Sequence, residues 1–161
     1  MRIGRQTTKK HAVRHGEAVI LFAVGPHTFA IAANEVDEIR DLQGLKPLRS
    51  TLAKVKQMLV RGKHTYFVVD ASFHLCQLPS KASRVLILRN LRTAVAVDSI
   101  DRMMEVAGVQ PLPQSFHGDE RRWYRGLTLL GEAVVPVVNA AAFLTSSEIG
   151  LLQRQMKESA V

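Results

Sequence analysis

Gly62-Lys63-His64-Thr65-Tyr66-Phe67-Val68-Val69-Asp70-Ala71 returns 69 positions later as Gly131-Glu132-Ala133-Val134-Val135-Pro136-Val137-Val138-Asn139-Ala140. Gly62, Val68, Val69 and Ala71 find identical residues in the second copy, Asp70 faces Asn139, and Leu75 meets Leu144 at the same offset. Each copy is a glycine turn followed by a short run rich in β-branched residues, the pattern of a strand leaving a tight turn. A second block lies upstream of each copy. Ala18-Val19-Ile20-Leu21-Phe22-Ala23-Val24 turns at Gly25-Pro26-His27 into Thr28-Phe29-Ala30-Ile31. Arg84-Val85-Leu86-Ile87-Leu88 turns at Asn90-Leu91-Arg92 into Thr93-Ala94-Val95-Ala96-Val97. Ser99-Ile100-Asp101-Arg102-Met103 then echoes Glu35-Val36-Asp37-Glu38-Ile39. Two matched blocks in the same order argue for tandem duplication of a small β unit.

The repeats divide the chain into units of about 17–80 and 81–147, each with four or five short strands and few helices. Each unit is therefore expected to be a small barrel or a strongly curved sheet. Units of this size are marginal alone, so a core shared between them, and one cooperative domain, is expected. Between the strands, Asn34 to Ile39 reads either as a short helical turn capped by Asn34 or as the start of a strand. Ser50 to Met58 reads as a short helix capped by Ser50, with Leu52, Val55 and Leu59 on one face. Residues 108–122 hold Pro111, Pro113 and Gly118 and read as an exposed loop. After the repeats, Ser147 is expected to cap a C-terminal helix over 148–161, packed through Leu151, Leu152 and Met156.

The 161 residues include 22 Lys and Arg against 14 Asp and Glu, a net charge of +8, with a pI near 10.2. A balance this basic is the first cue for nucleic acid or an anionic surface. Its distribution weakens the cue. Arg2, Arg5, Lys9, Lys10 and Arg14 precede the first acid, Glu17, leaving 17 bases and 14 acids in the body, a net of only +3. Residues 1–16 thus read as a basic tail expected to be disordered. Nine aromatics, most of them inside apolar runs, are few for a β-barrel that stacks bases. The one interleaved patch is Arg121-Arg122-Trp123-Tyr124-Arg125. A nucleic-acid-binding double barrel using the tail and this patch is the alternative reading. The favoured reading of the patch is a strand entry whose Trp123 or Tyr124 packs on the core.

No catalytic site is expected. There is no Ser or Cys in a strained glycine elbow, no phosphate-binding loop, no dinucleotide fingerprint, and only local carboxylate pairs such as Asp37-Glu38 and Asp119-Glu120. His11 and His15 share a spacing but lack a carboxylate or Cys partner, and His27, His64, His74 and His117 are scattered, so neither metal nor cofactor is expected. Cys76 is the only cysteine, which leaves a reducing cytoplasm as the simplest compartment. The apolar run Ala18 to Val24 is too short for a bilayer and is broken at once by Gly25-Pro26, so neither a signal peptide nor membrane insertion is expected.

The order of these motifs resembles the CheW family of chemotaxis coupling proteins over roughly residues 17–147. The segments that carry the likeness are Leu21 to Gly25 with Phe29 to Ile31, Val36-Asp37-Glu38-Ile39, and the Leu59-Val60-Arg61-Gly62 turn followed by Val68-Val69-Asp70. They continue with Val95-Ala96-Val97-Asp98-Ser99-Ile100, Tyr124-Arg125-Gly126-Leu127, Gly131 and Val137-Val138-Asn139-Ala140. The chain departs from the family at Leu59, where the turn usually carries Asn, and at Lys56, where Gly is common. The resemblance implies a mainly β fold of two SH3-like five-stranded barrels around a common core. It also implies a non-enzymatic adaptor between the cytoplasmic tip of methyl-accepting chemoreceptors and the regulatory domain of a CheA-type histidine kinase. Carried onto this sequence, the protein-binding residues are Arg61 and Gly62 of the turn, with Val36, Glu38 and Ile39 of the early segment.

Overall fold

The computed structural model describes residues 16–159, so the expected disorder of the basic tail falls outside the described residues except for Gly16. Among the described residues, eleven strands form two sheets. They are β1 (Glu17–Val24), β2 (His27–Ala32), β3 (Val36–Asp41), β4 (Lys46–Pro47), β5 (Val55–Arg61), β6 (His64–Asp70), β7 (Arg84–Leu88), β8 (Thr93–Val97), β9 (Ser99–Val106), β10 (Tyr124–Leu130) and β11 (Ala133–Val138). The first sheet runs β10-β11-β2-β1-β9 and the second β3-β7-β8-β6-β5-β4. The edge strands β9 and β10 of the first sheet come back into contact, so the sheet curls toward closure.

The duplication is visible in the pairing, but the units trade strands. Hairpin β1–β2 of the first unit joins β9, β10 and β11 of the second, and hairpin β7–β8 of the second joins β3 to β6 of the first. The joints are equivalent. β1 pairs antiparallel with β9 as β7 does with β3, and β2 runs parallel to β11 as β8 does to β6. Neither sheet is therefore made by one sequence unit, and each hairpin finds its backbone partners in the other half of the chain.

This exchange explains why the strands read as continuous apolar runs. Successive side chains point to opposite faces of a strand, and here both faces are covered. On β1, Ile20 and Phe22 enter the large shared core while Val19 and Leu21 enter a separate cluster with Ala30, Val106, Val135 and Val137. On β6 and β7, Phe67, Val69, Leu86 and Leu88 face the shared core, and Tyr66, Val68, Val85 and Ile87 fill a third cluster with Leu59. The shared core also takes Phe143 and Leu152 from the C-terminal segment.

Two local readings are corrected, and one left open is resolved. The helix expected over Ser50 to Met58 is a turn followed by β5. Ser50 does accept the Leu52 N–H at 2.9 Å, but the turn it closes leads into a strand. A bulge between Val55 and Gln57 shifts the register against β6, so Val55 enters the shared core and Leu59 the third cluster on the opposite face. The spacing that imitated a helix face is a strand buried on both sides and bent once. At Asn34 both readings are realised in succession, as a 3-10 turn over Ala33–Glu35 and then β3, with no side-chain cap.

The C-terminal helix spans Ser146–Ser159, and its cap is Thr145 instead of Ser147. Thr145 Oγ1 accepts the Glu148 N–H at 3.2 Å, and the Glu148 carboxylate accepts the Thr145 N–H at 2.9 Å, a reciprocal capping box. Ile149, Leu152 and Met156 pack on the shared core; Leu151, expected on that side, is half-buried outside the cluster. Replacing Thr145 with alanine is expected to cost about 1 kcal/mol, read as a lower urea midpoint with unchanged slope. A midpoint equal to that of the unmodified protein would mean that the box contributes nothing.

Candidate functional site

The turn singled out in the sequence is a two-residue hairpin loop. Arg61 and His64 close it as a backbone pair, and Gly62 takes φ of +61°, a left-handed conformation that glycine adopts without a Cβ clash. This geometry holds Arg61 at the end of β5, facing β3. β3 and β5 are not neighbours, since β7, β8 and β6 lie between them in the sheet. The Arg61 side chain spans the gap that the backbone leaves open.

Its guanidinium donates to Asp37 Oδ2 at 2.7 Å, to Glu38 Oε1 at 2.9 Å and to the Tyr66 hydroxyl at 2.8 Å. It also sits 5.3 Å from the centre of the Tyr66 ring, a cation–π contact. Arg89 adds a second tie, approaching Asp37 at 3.4 Å and donating to the carbonyls of Asn34 at 3.0 Å and Val36 at 3.1 Å. A planar guanidinium can hold two carboxylates and a hydroxyl at once, which a lysine ammonium cannot match in geometry. The hydrogen bond from Arg61 holds the Asp37 carboxyl below its ordinary range, and Asp37 first, then Glu38, raises Arg61. Asp37 and Arg61 therefore keep their charges across the physiological range.

The structure brings Arg61, Gly62 and Glu38 to one face. Val36 begins β3 with its side chain in the shared core, and Ile39, half-buried, packs against the same core. Their contribution to that face is backbone position. Sequence reasoning missed Asp37, Tyr66 and Arg89. Asp37 lies between two named positions and Tyr66 follows Arg61 by five residues, but only β-sheet register places them within reach. Nothing in the Leu88-Arg89-Asn90 turn signals that Arg89 staples β3. Asp37, Arg61, His64, Tyr66, Leu88, Arg89 and nearby turn residues enclose a cavity of about 370 Å³.

The Arg121 to Arg125 patch is consumed internally. Arg121 donates to the carbonyls of Pro113 at 3.0 Å and Phe116 at 2.7 Å, Arg122 pairs with Asp119 at 3.0 Å, and Arg125 grips Glu17 at 2.5 and 3.1 Å. Tyr124 stacks on Phe29 with ring centres 6.3 Å apart, and Trp123 lies 4.8 Å from the buried His74 ring. The interleaved sequence offers no row of free rings and cations for a nucleic-acid strand. Burial pushes the Cys76 thiol above its ordinary value, the opposite of an activated nucleophile. Among the described residues no group of three or more His, Cys, Asp or Glu is placed to hold a metal, and no helix is long and apolar enough to cross a membrane.

A family model described as the CheW-like domain matches residues 18–148, most of the chain. The chain belongs to the CheW-like family. Among solved structures, the crystal structure of the scaffolding protein TtCheW from Thermoanaerobacter tengcongensis superposes with a TM-score of 0.68 at 14% identity, covering 77% of this chain and 89% of that one. At that identity the likeness shows the fold, two SH3-like barrels, and the two exchanged sheets described above are those barrels. No curated relative matches the chain by sequence. CheW-like proteins are non-enzymatic scaffolds of chemotaxis signal transduction, and the absence of a catalytic constellation expected from the sequence accords with membership. The clasp of Arg61 on Asp37 and Glu38 lies within the matched CheW-like span.

Proposed function

We propose that the chain couples the cytoplasmic tip of methyl-accepting chemoreceptors to the regulatory domain of a CheA-type histidine kinase, with the clasp face as its receptor-docking surface. This reading places the protein in the cytoplasm. The observation that carries it is the convergence of Arg61, Gly62 and Glu38, from two segments 23 residues apart, on one pre-organised charged face of a CheW-like scaffold. Coupling of this kind needs no chemistry. It needs a rigid body with two separate docking surfaces, so that the state of one partner biases the other through shared contacts.

The clasp sharpens what substitution at Arg61 does. Arg61→Glu removes the cation and places a third carboxylate beside Asp37 and Glu38, so the β3 edge is expected to spread as well as change sign. Binding of a soluble chemoreceptor tip fragment is expected to weaken about tenfold, with kinase binding within about twofold of normal. Calorimetry on both partners tests this, with Arg61→Lys as the variant that keeps the charge but not the fork. Receptor affinity unchanged in Arg61→Glu would dismiss the clasp as the docking face. A kinase regulatory domain that shows no binding to the intact protein at about 50 μM would dismiss the adaptor reading itself.

A further inference from the structure

We infer that the β7–β8 turn beside the clasp supplies a second set of cations, centred on Arg92, that docks an acidic segment of the protein partner bound at this face. The inference rests on the adaptor reading and names the partner chemistry that the face selects.

Arg61, Lys63, Arg89 and Arg92 gather at the tips of the β5–β6 and β7–β8 hairpins, against Asp37 and Glu38 as their acids. These four cations outnumber the two carboxylates, and Glu38 is shared further with Arg40 at 3.7 Å, so the face carries a surplus of positive charge. Internal pairing divides these cations. Arg61 is saturated by the clasp, and Arg89 shares Asp37 and two backbone carbonyls. Lys63 and Arg92 are exposed, and neither has a carboxylate partner among the described residues.

Arg92 differs from an ordinary surface arginine in being held. Its carbonyl accepts the Phe67 N–H at 2.8 Å, and its Nε donates to the Thr65 carbonyl at 3.1 Å. Phe67 is wholly buried, so the anchor belongs to the core. Fixing Nε orients the terminal amino groups in advance, which reduces the entropy cost of meeting a carboxylate. Arg61, Arg89 and Arg92 line the same 370 Å³ cavity as the buried Leu88 and half-buried Leu91, and Asp37 is the one acid among its lining residues.

The same charge would attract a phosphate backbone, but base stacking is not on offer. The face has two rings, Tyr66, which is 6% exposed and already occupied by Arg61, and the exposed His64 imidazole, which packs against Tyr66 with ring centres 6.4 Å apart, so it presents no row of free rings. Carboxylate side chains with a flanking apolar residue fit the cations and the half-buried Leu91 together.

The test is binding of the soluble chemoreceptor tip fragment to the full chain and to its Arg92→Glu and Lys63→Glu variants, at 50 mM and 300 mM salt. At low salt Arg92→Glu is expected to weaken binding about tenfold and Lys63→Glu about threefold, with both losses shrinking at high salt. Far-UV dichroism and the urea midpoint check that both variants fold. Binding that Arg92→Glu leaves within twofold at low salt overturns this inference while the adaptor reading stands. No binding by the unmodified chain removes both. An Arg92→Glu loss equally large toward a 20-nucleotide single strand assigns the face to nucleic acid and overturns the choice of an acidic protein segment.

Discussion

Replacing Gly126 with alanine is expected to destabilise the protein by about 3 kcal/mol, although the change adds one methyl group. Gly126 sits on β10 where the strand takes a bulge after Tyr124, and Gln110 crosses it at this point. Gln110 and Leu127 exchange two backbone hydrogen bonds, at 2.7 and 2.8 Å. A Cβ at residue 126 would lie 2.0 Å from the Gln110 carbonyl oxygen and 2.9 Å from its carbon. Those are backbone atoms and cannot swing aside as a side chain can. The loop from Gly108 to Pro113 must lift, losing both bonds, the 2.7 Å bond from Thr128 Oγ1 to the Gly108 carbonyl, and the burial of Leu112. At a urea slope of about 2 kcal/mol per molar, the midpoint should fall by about 1.5 M. Gly108→Ala in the same loop, where a Cβ meets nothing within 4 Å, should change it little. Equal effects of the two substitutions would show that the loop is not held at Gly126.

Acidification is expected to cost about 2 kcal/mol of stability between pH 7 and pH 5 through one residue, His74. Its ring packs 4.8 Å from Trp123 and 5.2 Å from Phe143, and 7% of the residue is exposed. Burial first, then the nearby Lys54 charge, pushes its pKa down to about 4, with Glu148 opposing weakly. The folded pKa thus lies below the value near 6.5 of an unfolded chain. Above pH 6.5 the ring is neutral in both states and the stability is complete. As pH falls from 6.5 toward 4, the unfolded chain gains a proton that the folded one refuses, so stability drains away and levels off below 4. Glu17, Asp37 and Glu148, whose pKa values are lowered, lose their contributions at lower pH still; Glu35 and Asp70, raised by burial, work in the opposite sense. The interval from pH 6.5 to 5 therefore belongs mainly to His74. Urea unfolding of His74→Leu at pH 7 and pH 5 should show most of the dependence gone. A variant that loses as much as the unmodified protein would place the acid sensitivity elsewhere.

The two predictions concern positions that sequence reasoning treated as unremarkable. Gly126 was legible only as part of a strand, and His74 only as one of six scattered histidines. What made each consequential is a neighbour far along the chain: Gln110 over one, Trp123 and Phe143 against the other. The same holds for the site. Arg61 and Glu38 stand out in their own segments, but Asp37, Tyr66 and Arg89 join them only because β3 and β5 come together across the open side of a curved sheet. The Ser50 to Met58 segment failed for a related reason. Apolar residues three and four apart describe a helix face when the chain has one buried side, and describe a bulged strand when it has two.

Composition, the repeat at offset 69 and the alternation of apolar runs with glycine turns were enough to determine a duplicated, mainly β domain with a common core. These are properties of local conformational preference and of apolar content, and both are written residue by residue. Only the tertiary structure decided that the two units exchange their first hairpins. Hydrogen-bonded strands with both faces apolar look the same whichever unit they join, since backbone donors and acceptors carry no sequence label. The exchange in turn set which charged turns lie side by side. The basic excess that sequence position assigned to a tail therefore has a second centre, at Arg61, Lys63, Arg89 and Arg92, where closure of one barrel gathers side chains that the chain keeps up to 31 residues apart.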